Sequence, residues 1–360
     1  MRVINKIAAF ILGSVFFLSG ILKLMDPLGT SLIVSSYLSF LHLGFLQFAS
    51  GLLACIFPLV ECILGSAMIL GVFRKPTGIA VLALQVFFTL LTLLLVIFNP
   101  QMDCGCFGEA IHLTHIQSFI KNLILLALWA LAFLPLRKET PAPRKSKFIG
   151  FALVGVSVLL FLLYSSLSLP LIDFTPLKSG VELYSESEFD GEDFDFAAIE
   201  SPTGEEISVM DSQGEYADSV LTEGKVLAIS VYELSKLKPK TWQKISSLVS
   251  EASSLGYSPV LLLSSSVAQA QSAVSDNLLG ISYFCDKKTL MTLNRSNAGV
   301  SYISDGLITA KWSRHSLPDS QDLESIAAED AADVILSRSQ PASLKLQCFL
   351  LYIFAVMLLL

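Results

Sequence analysis

Six long runs of apolar residues divide the chain, and most are long enough to cross a bilayer as helices. A helix needs about 20 apolar residues to span the ~30 Å hydrocarbon layer. The last run is shorter, and it is read either as a sixth span or as an interfacial segment. The runs cover 7–25, 48–73, 77–98, 116–136, 148–172 and 346–360.

The distribution of Lys and Arg between these runs predicts how the helices are oriented. Basic residues lie before the first run, between the second and third, and between the fourth and fifth. They are Arg2, Lys6, Arg74, Lys75, Arg137, Lys138, Arg144, Lys145 and Lys147. The other two connections, 26–47 and 99–115, contain neither Lys nor Arg. Since short cytoplasmic loops are enriched in basic residues, we expect the N-terminus inside and 26–47, 99–115 and 173–343 outside.

Between residues 173 and 343 the pattern changes to one typical of a soluble α/β domain. Short apolar runs suited to strands alternate with segments of helical spacing, and Ser304-Asp305-Gly306 is a hairpin signal. Strands are expected at 226–231, 259–263, 281–284, 300–303 and 307–312, and helices at 241–255, 267–279, 287–295 and 319–336. This alternation predicts an α/β layer fold that ends with a hairpin and a last helix.

The composition agrees with a membrane protein that carries an acidic soluble part. The chain is 53% hydrophobic and 15% charged, whereas soluble domains have about 25% charged residues. Residues 171–343 hold 26 acidic and 12 basic side chains, and the rest of the chain holds 5 acidic and 12 basic. A single soluble domain and a disordered chain are therefore excluded. Nucleic acid is not an expected partner, because the acidic region has no basic stripe.

The clearest chemical motif is Asp103-Cys104-Gly105-Cys106-Phe107-Gly108, in the second of the connections expected outside. On that face of the membrane disulfides persist, and redox-active thiol pairs operate. The glycines permit tight turns, and two cysteines two residues apart would close a small strained ring. Because strained disulfides are easily opened, the motif predicts thiol–disulfide exchange by Cys104 and Cys106. A structural disulfide and an inert cysteine pair are the alternatives.

A metal site is a further alternative for the same loop. His112 and His115 follow the two cysteines, and together the four residues offer enough ligands for a tetrahedral ion. The spacing is not a standard zinc pattern, however, and histidines at this position are typical of the solvated start of a helix. The other cysteines, Cys55, Cys62, Cys285 and Cys348, are read as small buried or structural residues.

Glu61 is an ionisable residue in the middle of an apolar span. Such residues usually face a bundle interior or a functional cavity, although a neutral, hydrogen-bonded carboxyl group is the alternative. Gln85 is expected to hydrogen-bond between helices. Lys121 is expected to extend towards the membrane surface, and Lys23 and Asp26 to mark the interface.

The first four spans resemble the DoxX-like membrane proteins and, within them, the MauE-like branch. The resemblance covers about 135 residues and rests on three ordered motifs. They are 13–24 with Asp26-Pro27, Glu61 with Gly65 and 70–74, and 104–108 with Leu113-Thr114 and Lys121-Asn122. It implies a four-helix membrane bundle. We expect the site to contain Cys104 and Cys106 as the exchanging pair, with these residues in support: Glu61, Gly105, Phe107, Gly108 and Lys121. MauE is associated with disulfide formation during methylamine dehydrogenase maturation, and DoxX-type subunits occur in thiosulfate:quinone oxidoreduction, but neither substrate can be carried over.

The whole chain is similar in plan to a Bacteroidetes group of DoxX proteins that carry a thioredoxin-like periplasmic module. This chain departs from an active thioredoxin, which would have Cys-x-x-Cys after the first central strand. Here 232–237 contains no cysteine, and Asn297-Ala298-Gly299 stands near the place of the expected cis-proline. The module is therefore predicted to bind a partner without catalysing exchange.

These observations predict an inner-membrane protein of four regions. They are a four-helix domain at 1–136, a basic loop and fifth helix at 137–172, a periplasmic module at 173–343 and an apolar segment at 344–360. The expected function is extracytoplasmic thiol–disulfide redox or electron transfer, with a thiol- or disulfide-containing protein as partner and a quinone as candidate acceptor. The alternative is a non-enzymatic membrane scaffold that displays an inactive thioredoxin-like module.

Overall fold

The computed structural model describes residues 2–134, 143–183 and 207–359. The chain divides into two compact units, Met1–Ser166 with Lys345–Leu360, and Leu167–Leu344. Arg137 and Lys138 of the predicted cytoplasmic loop, and most of the acidic stretch at 182–224, lie outside the described residues.

The first unit is helical and contains the apolar runs. Its helices are α1 (Arg2–Met25), α2 (Pro27–Phe40), α3 (Ser50–Leu70), α4 (Arg74–Phe98), α5 (His115–Phe133), α6 (Lys145–Leu167) and the end of α12 (Ala331–Leu359). Among the described residues, six helices are long and apolar enough to cross a membrane, namely all of these except α2. The chain is thus a multi-pass membrane protein, as the sequence predicts.

Helices α1 and α3 approach closely because glycines line their contact. A Cβ atom added at Gly13 would lie 2.8 Å from the carbonyl oxygen of Gly65, and one at Gly20 would lie 2.6 Å from that of Pro58. Small residues allow this kind of backbone approach in membranes, where packing rather than hydrophobicity holds helices together. Between α4 and α5, the Gln85 side chain donates to the carbonyl oxygen of Asn122 at 3.1 Å, which confirms the predicted interhelical bond.

Basic side chains meet the carboxyl ends of two helices at one end of this unit. Arg74 donates to the carbonyl oxygen of Ala132 near the end of α5, and Lys147 donates to that of Leu70 at the end of α3. Cations are favourable at helix C-termini, where carbonyl groups lack helical partners. The loop after α4 therefore lies at the opposite end from these basic residues.

Helix α2 was not expected, because 26–47 is read from the sequence as a loop. The Asp26 carboxylate accepts from the backbone N–H of Gly29 at 2.9 Å, and Pro27 occupies the first helical position. Both features favour a helix start. Asp26 is buried as the N-cap of α2, so its prediction as an interface marker is wrong.

The C-terminal helix also differs from the expectation. The predicted helix 319–336 is divided into α11 (Ser320–Ala328) and α12, because Glu329 is extended and Asp330 accepts from the N–H of Ala332 at 2.9 Å. The predicted segment 346–360 is the apolar end of the 29-residue α12. That end packs on α6, with the rings of Phe161 and Phe349 stacked 4.7 Å apart.

The second unit is a five-stranded mixed sheet with helices, as the alternating pattern predicts. The sheet contains β2 (Lys225–Val231), β3 (Ser258–Leu263), β4 (Ser282–Phe284), β5 (Gly299–Ser304) and β6 (Leu307–Trp312), after the short β1 (Cys106–Glu109) of the first unit. Its order is β4-β3-β2-β5-β6, with β2, β3 and β4 parallel and β5 and β6 antiparallel.

The helices of this unit follow the predicted segments, with a second division besides that between α11 and α12. They are α7 (Pro239–Ser254), α8 (Val267–Ala273), α9 (Asp276–Leu279), α10 (Lys287–Leu293) and α11. The predicted helix 267–279 is two helices, because Val274 and Ser275 adopt extended backbone angles. The core lies on the sheet around Leu227, Ile229 and Leu261, which are fully buried.

Candidate functional site

The cysteine loop connects α4 to α5 and contains β1. Gly105 and Gly108 both have positive φ angles, 62° and 64°, which glycine adopts without strain. A Cβ atom at Gly105 would also collide with the Ile33 side chain of α2. The glycines between and after the two cysteines are therefore needed for the path of the backbone.

Two helices fix the backbone of both cysteines by hydrogen bonds. The Tyr37 hydroxyl of α2 donates to the carbonyl oxygen of Cys104 at 2.6 Å. The Ser19 hydroxyl of α1 lies 2.8 Å from the carbonyl oxygen of Cys106. The loop is thereby held against the helices at the end of the unit opposite the basic residues.

The two thiols are free and chemically different. Cys104 is buried and Cys106 is half-buried. A hydrogen bond from Cys104 lowers the pKa of Cys106 to about 5, and the charges of Lys121 and Lys23 add to this effect against the opposing effect of burial. The same hydrogen bond, together with burial, raises the pKa of Cys104 well above its usual value. At neutral pH the pair is one thiolate and one thiol, and the thiolate is the nucleophilic form.

Lys121 stabilises this thiolate from α5. Its ammonium group lies 5.0 Å from the centre of the Phe107 ring, in the same cavity as Cys106, and its positive charge contributes to the lowered pKa of Cys106. The expectation that Lys121 extends to the membrane surface is therefore wrong. A cation in contact with both a thiolate and an aromatic face is stabilised by charge and by the ring quadrupole.

Glu61 faces the interior of the bundle, as predicted, and is only 2% exposed. Its Oε1 atom lies 2.6 Å from the ammonium of Lys23, and its Oε2 atom lies 2.9 Å from the Ser19 hydroxyl. Lys23 is itself buried, so its prediction as an interface marker is wrong. The ion pair compensates two charges that would each be costly in an apolar interior.

These groups share one cavity of about 270 Å³ within the first unit. Its walls are mostly apolar and include the aromatic residues Phe16, Phe57, Phe87, Phe88 and Phe107. Its polar lining includes Ser19, Lys23, Tyr37, Glu61, Gln85, Cys104, Cys106, Lys121 and Asn122. The predicted cysteines, Glu61 and Lys121 therefore come together around one cavity, although they are distant in sequence.

The structure does not assemble the four-ligand metal site. The ring nitrogens of His115 lie 3.1 Å from the Asn99 side-chain oxygen and 2.9 Å from the carbonyl oxygen of Met102. His112 lies 3.4 Å from the Asp103 carboxylate. In the described part of the chain, no three His, Cys, Asp or Glu residues are grouped to hold a metal.

The remaining cysteines are not part of the loop. Cys62 is buried in α3 with its sulfur 3.7 Å from the carbonyl oxygen of Phe17, Cys55 is half-buried, and Cys348 is exposed in α12. Cys285 follows β4, and burial first and then nearby Asp286 raise its pKa to about 12. A thiol with such a pKa is a weak nucleophile at neutral pH.

In the second unit, hydrogen bonds and ion pairs hold the turn that follows β2. The Asn297 side-chain oxygen accepts from the backbone N–H groups of Tyr232 and Glu233 at 3.0 and 3.1 Å. Glu233 also pairs with Lys236 at 2.6 Å and with Lys287 at 2.9 Å. The turn is thus held by an amide and by charges rather than by thiols.

Comparison with known proteins finds a match for the first 135 residues. They match a family model. That family is described as methylamine utilisation protein MauE, and the match covers residues 1–135. No curated protein and no solved structure matches the chain. The MauE-like region contains α1 to α5 and the cavity with both loop cysteines.

Sequence reasoning missed three contributors to the site, namely Ser19, Lys23 and Tyr37. Ser19 and Lys23 are four residues apart on α1 and therefore lie on the same face of the helix. That spacing could have indicated that both contribute to one polar site. Tyr37 requires α2, which the Asp26-Pro27 start signal could have revealed.

Proposed function

We propose that this membrane protein exchanges thiols and disulfides through Cys104 and Cys106, on the extracytoplasmic side. The observation that carries the proposal is the placement of both thiols in one cavity with Lys121 and Lys23, where a hydrogen bond from Cys104 and the two positive charges lower the pKa of Cys106. Thiolate character and limited access are what distinguish reactive from structural cysteines.

The exchange reaction follows from this asymmetry. The Cys106 thiolate attacks a disulfide of the partner protein, forms a mixed disulfide and releases one partner thiolate. Cys104 then loses its proton, attacks Cys106 and releases the second partner thiolate. The partner disulfide is reduced by two electrons and the Cys104–Cys106 pair is oxidised to a disulfide. The reverse sequence would oxidise a partner dithiol.

The orientation of the helices is part of the proposal. Arg74 and Lys147 lie at one end of the first unit, where they contact the ends of α5 and α3. By the positive-inside rule that end is cytoplasmic. The cysteine loop lies at the other end, in the compartment where disulfides persist. Placement in a bacterial inner membrane, with the second unit in the periplasm, follows from this orientation.

We further propose that the second unit is a thioredoxin-like binding module without exchange activity. Its central β2 is flanked by parallel β3 and antiparallel β5, and the turn after β2 carries Tyr232 and Glu233 rather than two cysteines. In this proposal the unit recognises the partner protein while the membrane cysteines carry out the chemistry. A quinone as final electron acceptor stays a prediction.

Trapping with a small disulfide tests the proposal. With oxidised glutathione as probe, a Cys104→Ser variant should accumulate the Cys106 adduct at least about tenfold faster than a Cys106→Ser variant accumulates a Cys104 adduct, because only Cys106 is a thiolate. Cys55→Ser serves as the control and should behave as the wild type. Equal and slow labelling of both loop variants would contradict the proposal.

A further inference from the structure

Two buried amide side chains in the cavity wall use their donors within the protein but leave their acceptors unused. The Gln85 amide nitrogen donates to the backbone carbonyl oxygen of Asn122 at 3.1 Å. The Asn122 amide nitrogen donates to the carbonyl oxygen of Phe88 at 3.2 Å and to the Thr92 hydroxyl at 3.1 Å. Because a carbonyl oxygen can only accept, these bonds fix which end of each amide is the nitrogen.

The two amide oxygens have no hydrogen-bond donor among the described residues. Gln85 is 1% exposed and Asn122 is 2% exposed, and both line the cavity. A buried acceptor left without a donor costs about 1–3 kcal/mol, and the core of the surrounding bilayer offers no water to supply one. The two oxygens therefore favour a ligand that donates hydrogen bonds.

The apolar part of the cavity suits an aromatic ring. Its volume is about 270 Å³, whereas an apolar cavity of about 150 Å³ already holds benzene. The rings of Phe57 and Phe87 are stacked 6.2 Å apart, and the Phe88 ring is tilted against Phe87 at 5.5 Å. Aromatic rings pack favourably against one another in stacked and tilted geometries. A substituted ring therefore fits the cavity in both size and chemistry.

Phe87 also indicates where such a ligand enters. Its side chain lines the cavity and is 46% exposed. It belongs to α4, which is long and apolar enough to span a membrane, so the exposed part of the ring meets lipid. Phe57 of α3, which stacks on it, is half-buried and lines the same cavity. The cavity thus reaches the bilayer between α3 and α4.

The cations of the cavity already have partners, which favours a neutral ligand. The Lys23 ammonium lies 2.6 Å from the Glu61 carboxylate and 5.4 Å from the centre of the Phe88 ring. The Lys121 ammonium lies 5.0 Å from the centre of the Phe107 ring. The unused polar groups are therefore the two amide oxygens.

We propose that this cavity binds a neutral, lipid-soluble aromatic ring that carries hydroxyl groups, as a hydroquinone does, with a hydroxyl donating to Gln85 or Asn122. Binding requires no reaction at either cysteine and so goes beyond the proposed function. In the oxidised form of such a ring, carbonyl oxygens replace the hydroxyls, and carbonyl oxygens can only accept. The cavity is therefore selective for the reduced ring.

Calorimetric titration of the full chain in lipid nanodiscs, without oxygen, tests the proposal. The probes are decylhydroquinone, its dimethyl ether and the matching decylquinone. The protein carries Cys104→Ser and Cys106→Ser, so the loop cannot oxidise or reduce a probe during the titration. Decylhydroquinone should bind about tenfold more tightly than either other probe, because only its hydroxyls supply a donor to a buried acceptor.

A further substitution locates the donor contact. Gln85→Met keeps the length of the side chain and removes one acceptor, so it should weaken decylhydroquinone binding about threefold to tenfold and leave binding of the ether unchanged. Gln101→Met, at an exposed position in the loop after α4, should change neither affinity.

Equal affinities for decylhydroquinone and its ether would overturn the proposal, and they are the result expected if the cavity holds only a lipid chain. Because the loop cysteines are replaced in these proteins, that result would leave the thiol exchange standing. Failure of the glutathione trapping would in turn leave the ring site standing.

Discussion

The Tyr37 hydroxyl donates a 2.6 Å hydrogen bond to the carbonyl oxygen of Cys104. This bond connects α2, a helix too short to span the membrane, to the backbone of the cysteine loop. Ile33, one turn earlier on α2, contacts Gly105. Helix α2 therefore sets the position of the cysteine loop as well as forming one wall of the cavity.

Removal of this hydrogen bond should loosen the loop. Tyr37→Phe keeps the ring and should lower the free energy of unfolding by about 1 kcal/mol, the usual value of one hydrogen bond. It should also make buried Cys104 more accessible to alkylation. Thermal unfolding in detergent and quantitative alkylation measure the two effects. Tyr164→Phe, at an exposed ring in α6, is the control. Unchanged Cys104 labelling in Tyr37→Phe would show that α2 does not hold the loop.

Alkylation of Cys106 should depend on pH in a way that Lys121 controls. With a pKa of about 5, wild-type Cys106 stays a thiolate at neutral pH, and its alkylation rate should fall only as the pH drops through that value. The hydrogen bond from Cys104 is the main cause of the lowered pKa of Cys106, and the charge of Lys121 lowers it further. Lys121→Met should therefore move the fall in alkylation rate to higher pH.

A matched control for this experiment is Lys75→Met, at an exposed position at the start of α4. It should leave the alkylation profile unchanged. If Lys75→Met and Lys121→Met give the same profile, Lys121 does not stabilise the thiolate.

The buried pair of Lys23 and Glu61 should be strongly coupled in stability. Lys23→Met leaves a buried carboxylate without its cation, which typically costs about 3–5 kcal/mol. The double variant Lys23→Met with Glu61→Gln removes both charges and should recover most of that loss. Denaturation of the three proteins in the same detergent measures the coupling. Additive effects of the two substitutions would be inconsistent with the 2.6 Å ion pair.

The orientation predicts where proteases can act. Protease added to intact spheroplasts should remove the second unit, because 173–343 is proposed to lie outside. Digestion should leave the first four helices protected in the membrane. Digestion of the second unit only in inverted vesicles would reverse the proposed orientation.

Much of the fold follows from local pattern in the sequence. Strands β2, β3, β5 and β6 lie within a residue or two of their predictions, because each is a short apolar run bounded by polar residues or glycine. The division between α11 and α12 was missed, since the helical spacing continues across Glu329 and only the local backbone breaks it. Helix α2 was missed because 26–47 contains neither Lys nor Arg and was interpreted as a loop between two spans.

The candidate site was predictable only in part, for a similar reason. Cys104 and Cys106 can be recognised in the sequence by their motif, and Glu61 by its charge in an apolar span. The partner of Glu61 lies 38 residues away in sequence, and only the packing of α1 on α3 brings Lys23 to it. Lys121 likewise resembles an interfacial residue in the sequence, because only the folded loop brings Cys106 close to α5.

The most direct test of the central claim is differential alkylation of the wild-type protein in freshly isolated membranes. We predict that a fraction of Cys104 and Cys106 is blocked as a disulfide, that mild reductant exposes both to alkylation, and that Cys55 and Cys62 react slowly before and after reduction. Mass spectrometry of the loop peptide and of the peptide that contains Cys55 and Cys62 measures all three. Complete alkylation of Cys104 and Cys106 without reductant, together with the absence of any glutathione adduct in the single variants, would contradict the redox function.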